Sequence, residues 1–221
     1  MAFGTTRKMA LAVMVATAGM GGAAQAADTA SDCAGYGDAL DAMSDADRAL
    51  RGRQDYLAAP EDAVQARRGA QLSLVERANA ARLEALVAGC GWPLRSVHGA
   101  RAVEAAWQVV KRFGGNLTLQ KTVAPHLERA VAAGEAPGAA LAQLQDRIAV
   151  AEGRLQPYGT QMRQRDACRW VPQAMEDRAL VEERRKALGL PSLEEQERQA
   201  NGMVIHEGCE NHVALPRVQK P

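Results

Sequence analysis

The sequence predicts an all-α domain of about six to seven helices with one small irregular or β-hairpin insert. Three observations predict it. Alanine, leucine, arginine and glutamate dominate, and only eight residues are aromatic, a composition that favours helices over strands. Apolar residues recur at helical spacing through several segments. Glycine and proline clusters punctuate those segments at intervals of one helix.

Taken in order, residues 38–58 read DALDAMSDADRALRGRQDYLA and set Leu40, Met43, Ala46 and Leu50 on one stripe. Pro60 breaks that helix and can open the next, since proline tolerates a first turn. The second helix runs to about residue 88 and ends at GCGWP, residues 89–93. A third, residues 100–113, repeats apolar positions at 102, 106, 109, 110 and 113 and is stopped by GGN. Residues 117–133 and 137–151 read as two more helices, separated by GEAPG. Periodicity fades from 153 to 171, where short extended pieces or a hairpin fit best. EDRALVEERRKALGLP, residues 176–191, is a charged helix ending at Gly189, and Ser192 with Glu195 forms a capping box for a last short helix. The tail beyond residue 201 is irregular.

Residues 1–26 read as a secretory leader. Arg7 and Lys8 precede the apolar run MALAVMVATAGMGGAA, and AQA offers small residues for cleavage near Ala26. The run carries glycines and is shorter than a membrane span of ~20 residues. The expectation is a single helical domain, residues 27–221, in the periplasm or outside the cell, with no membrane anchor after cleavage. Twenty-seven basic residues face 26 acidic ones. The leader takes two of the basic ones, so no net field draws in nucleic acid.

Cys33, Cys90, Cys168 and Cys209 all lie in the exported part. An even count in an oxidising compartment points to two disulfides, with three possible pairings. Cys33–Cys90 with Cys168–Cys209 is favoured because each would tether a terminal segment. Each loop would add ~4 kcal/mol in the chain-entropy account. The spacings fit no zinc pattern, and neither metal nor cofactor is expected.

Several polar residues stand where apolar ones are due. Asn79 shares a helical row with Leu72, Val75, Leu83 and Leu86. It is either a structural amide or a ligand contact, because a buried amide needs partners. Asp146 and Arg147 interrupt LAQLQDRIAVA. Asp146 points away from the main apolar face, yet Ala142 and Val150 share its row, so this helix can be covered on two sides. A solvated Asp–Arg pair is the plain reading and a perturbed acid in a cleft the sharper one. His126 reads as a surface or supporting residue, and His98, His206 and His212 show no metal spacing. In EGRLQPYGTQ, residues 152–161, two glycines mark turns. Gln156, Tyr158, Thr160 and Gln161 can share one face there. No nucleophile elbow, zinc helix or phosphate loop is present.

LDAMSDADRALR, NAARLEALVAGCGWPLRS, GARAVEAAW, GEAPGAALAQLQDRIAVAEGRLQPYGTQ and EDRALVEERRKALGLP, in that order, resemble the bacterial family called domain of unknown function 6624. The resemblance spans roughly residues 38–200. It implies that Asn79, Trp92, Pro93, Trp107, Asp146, Arg147, Gln156, Tyr158, Gly159, Thr160 and Gln161 occupy the family's motif positions and could line one pocket. Two departures stand out. Cys90 takes the place of a histidine that members often carry before Gly-Trp-Pro. Lys111, Arg112, Phe113 and Gly114 stand where members often read Gln-His-Ala-Asp. If that histidine and aspartate are an acid–base pair, this chain has lost it.

The functional expectation is an exported small-molecule or peptide binding or interaction module, with Asn79, Trp92, Asp146, Arg147, Gln156, Tyr158, Thr160 and Gln161 as ligand-binding candidates. A hydrolase using Asp146 or His126 is the first alternative, and a purely structural protein the second. Oligomeric state does not follow from the sequence.

Overall fold

The structure is a computed structural model and describes residues 33–52, 62–166 and 168–202. The expected leader, the break at Pro60, His206, Cys209 and His212 lie outside those residues.

Seven helices and one hairpin make up the described chain. They are α1 (Tyr36–Gly52), α2 (Asp62–Cys90), α3 (Arg95–Arg112), α4 (Leu117–Ala132), α5 (Gly138–Ala151), β1 (Met162–Asp166), β2 (Arg169–Pro172), α6 (Arg178–Ala187) and α7 (Leu193–Gly202). α3 starts earlier than its apolar repeat because its first turn is offset by a kink. Gly99 sits inside it at φ +81°, a backbone angle that glycine adopts at little cost. At the other end Asn116 caps α4, its side chain accepting from the Leu119 N–H. Pro125 lies within α4 rather than in its first turn. The Ser192 hydroxyl accepts from the Glu195 N–H at 3.1 Å, as the capping signature predicts.

α1 packs on α2 and α3, α2 on α4, and α4 on α5. One core joins them, with Leu40, Leu83, Val87, Val110, Leu119, Val123, Leu127 and Leu144 all buried. Burying each such side chain stabilises the fold by roughly 1.5–3 kcal/mol. The α1 stripe differs from its expected composition. Leu40 and Met43 are buried, but Ala46 is exposed and the next buried position is Asp47, at 4 % exposure. Asp47 lies four residues after Met43 and seven after Leu40, on the same row, and it is tolerated there because cations meet it.

The extended region resolves into an antiparallel hairpin, Met162 pairing with Pro172 and Gln164 with Trp170. Asn201 of α7 closes the hairpin's edge, accepting from the Trp170 N–H and donating to its carbonyl. Val181 of α6 and Leu193 of α7 are fully buried outside the main core.

Cys33–Cys90 is disulfide-bonded and ties the residues before α1 to the end of α2. Of the two expected bridges, this one lies wholly among the described residues. Cys168 is not free, but its expected partner Cys209 lies outside them.

Candidate functional site

The turn at residues 153–161 is built from the residues around it. Asp146, fully buried on α5, accepts the Tyr158 N–H on one carboxylate oxygen at 2.8 Å and the Thr160 N–H on the other at 2.5 Å. Burial raises its pKa above the ordinary carboxylate value, and hydrogen bonds from Thr160 and Tyr158 and the nearby Arg185 charge offset only part of that rise. The side chain of Gln156, also fully buried, is spent on backbone. It donates to the carbonyls of Gln161 and Gln173, each at 3.1 Å, and accepts the Gln161 N–H at 2.7 Å. From α6, Arg185, 1 % exposed, donates to the carbonyls of Tyr158 and Pro191 at 2.8 Å and to Gln196 at 3.0 Å. Gln196 in turn donates to the Gly159 carbonyl at 2.7 Å. Gln161 donates to Thr160 and to the Gln143 carbonyl. Asp146, Gln156, Tyr158, Thr160 and Gln161 are therefore brought together, as a buried interlock between α5, the hairpin, α6 and α7.

The remaining candidates lie elsewhere, which corrects the expectation of one shared pocket. Arg147 does not pair with Asp146. It faces the other way and reaches the carbonyls of Val110 and Lys111 at the end of α3, each at 3.4 Å. A cation is favoured at a helix C-terminus. Trp92 is buried beside the disulfide and lines a cleft with Tyr36, His98 and His126. Asn79 donates to the Met43 carbonyl at 3.3 Å and lines a different cavity.

That cavity has a volume of about 440 Å³ and lies between α1, α2 and α3. Asp47 forms its floor. Arg51 donates to both Asp47 oxygens at 3.1 and 3.2 Å and to Glu76 of α2 at 2.5 Å. Arg112 of α3 meets the same Asp47 carboxylate. Ser44, Asn79, Glu104 and Gln108 add hydroxyl, amide and carboxylate groups, Arg48 and Arg101 add charge, and Met43, Ala105 and Val109 supply the apolar part of the wall. Arg112, one of the positions at which the resemblance implies an exchange of Gln-His-Ala-Asp, lines this cavity. Arginine stays protonated at any physiological pH. It can hold an anion or a carbonyl here, and it cannot shuttle a proton.

Sequence reasoning found Asn79 and missed Asp47, Arg51, Glu76 and Gln108. The signal for Asp47 was present: an acid on the Leu40–Met43 row with an arginine four residues later is a buried charge with its counter-ion. Among the described residues no group of three or more His, Cys, Asp or Glu side chains is placed to hold a metal ion. None of their helices is long and apolar enough to cross a membrane.

No curated protein and no solved structure matches the chain. Residues 36–204, which include the cavity, the interlocked turn and all of the disulfide cleft but Cys33 and Ala34, match a family of unknown function, DUF6624, and the chain belongs to that family.

Proposed function

We propose that the protein is exported and holds a small polar molecule or a short peptide in the cavity between α1, α2 and α3. The observation that carries this reading is the Asp47 carboxylate, 4 % exposed and shared by the guanidiniums of Arg51 and Arg112 at the cavity floor. Such a cluster is a poor device for stability alone, since well-packed apolar residues would serve as well or better. It does pre-organise fixed charges of both signs around an opening of ligand size. A ligand offering both donors and acceptors would match Asn79, Gln108 and Glu104 at the wall. Export is supported by the leader-like residues 1–26 and by the Cys33–Cys90 bridge, which persists in an oxidising compartment.

Binding is favoured over turnover because Asp146 and His126, the two groups that the hydrolase alternative relies on, lie outside this cavity. Asp146 already accepts two backbone N–H groups, and His126 lines the disulfide cleft instead. The test is cell fractionation followed by native mass spectrometry of the purified protein. The reading predicts a processed chain in the exported fraction with a co-purifying small adduct that an Asn79→Leu variant no longer retains. An unprocessed cytoplasmic chain, or an adduct indifferent to Asn79→Leu, contradicts it.

A further inference from the structure

The cleft beside the disulfide is separate from that cavity and has its own chemistry. It has a volume of about 650 Å³ and is walled by Tyr36, Trp92, Leu94 and Val97, with the Cys33–Cys90 bridge on one side. Val97 is 69 % exposed, an apolar side chain left open to water at the cleft. The Trp92 indole N–H is buried, in a residue only 3 % exposed, and has no hydrogen-bond partner among the described residues. Buried donors are ordinarily paired. The cleft is therefore apolar in its walls and incompletely satisfied.

Its charges are unevenly committed. Glu135 spends one carboxylate oxygen on the Ser96 N–H at 2.9 Å and the other on the Ser96 hydroxyl at 2.7 Å. Arg129 is exposed and forms no ion pair among the described residues; one of its terminal nitrogens donates to His126 Nδ1 at 3.0 Å. That contact makes Nδ1 the acceptor and leaves the His126 proton on Nε2, a second donor in the same cleft. Burial and then the Arg129 charge lower the His126 pKa, so the ring is neutral near pH 7.

We propose that this cleft binds a small apolar carboxylate, its charged end on Arg129 and His126 and its hydrocarbon or aromatic body against Trp92, Leu94 and Val97. The guanidinium fork matches a carboxylate in shape and charge. The apolar body would cover Val97 and the Trp92 face. The same Arg129 repels an amine of equal size, so sign selectivity separates this site from generic apolar binding.

The experiment is isothermal titration of the full oxidised chain with phenylacetate, with benzylamine and acetate as comparisons. Phenylacetate is expected to bind saturably with a Kd of about 1 mM or tighter, benzylamine and acetate at least about tenfold more weakly. Arg129→Gln and Val97→Asp change exposed side chains, and their melting temperatures check that each remains folded. Each is expected to weaken phenylacetate at least about tenfold. No saturable phenylacetate binding, equal binding of benzylamine, or full affinity in folded Arg129→Gln overturns the proposal.

Discussion

Asp146 and Arg185 grip the same turn from opposite sides. Asp146 accepts the Tyr158 and Thr160 N–H groups, and Arg185 donates to the Tyr158 carbonyl, so both polar groups of Tyr158's backbone are held by buried charges. Asp146→Asn replaces one acceptor oxygen with a donor NH₂ that must face a backbone N–H. It is expected to destabilise the fold by about 2–4 kcal/mol. Urea denaturation checks this, and a loss under about 0.5 kcal/mol, the size of an ordinary surface change, would show that the interlock carries little energy.

Gly159 is pinned more tightly than the other turn glycine. At φ +67°, an added Cβ would lie 2.8 Å from a Leu193 methyl and 3.1 Å from the Met175 sulfur. Gly153 has a similar φ of +69° with nothing within 4 Å. Gly153→Ala therefore pays only left-handed strain, about 1–2 kcal/mol. Gly159→Ala is expected to cost at least about 1 kcal/mol more, through overpacking. Thermal unfolding of the two variants measures the difference, and equal losses would contradict the packing described.

Within one motif, neighbouring residues should behave oppositely. Gln156→Leu strands the Gln173 carbonyl and the Gln161 N–H and takes one of two donors from the Gln161 carbonyl, which keeps the Gln173 N–H, a loss of about 3 kcal/mol. The Tyr158 hydroxyl makes no hydrogen bond to the described residues, and Tyr158→Phe is expected to stay within about 0.5 kcal/mol of the parent. Denaturant titration of both variants tests the contrast.

Stability should fall on mild acidification in a way that His126 controls. Its pKa is lowered from the ordinary 6.5, so the folded state binds the proton less tightly than the unfolded chain. Its contribution is fully present above 6.5 and is lost as pH falls from there to the lowered value. His126→Gln, which keeps an acceptor for Arg129, should flatten the stability–pH curve in that window. An unchanged slope would show that another group dominates.

The helices were legible in the sequence because periodicity and punctuation agree, as at GCGWP, at GGN and at the Ser192 cap. The hairpin was legible only as lost periodicity, since β1 is exposed beyond Met162 and shows no alternation. The motif residues were legible as polar groups needing partners. Their role was not, because the Tyr158 and Thr160 N–H groups that Asp146 holds are backbone, which carries no side-chain signature. Asp47 was passed over for the reason that hid the cavity: three helices distant in sequence contribute to it. No spacing within one segment reports the meeting of Asp47, Glu76 and Arg112.

The measurement that tests the account most directly is a thermal-shift screen of the oxidised protein against amino acids, short peptides and other polar metabolites. It is run in parallel on the parent, Asn79→Leu and Gln161→Ala. A ligand at a hundred times its Kd adds ~2.7 kcal/mol, enough to read as a shift. The account predicts a shift in the parent and in Gln161→Ala that disappears in Asn79→Leu, placing the ligand between α1, α2 and α3. A shift that survives Asn79→Leu and vanishes in Gln161→Ala would contradict it and move the site to the YGTQ turn.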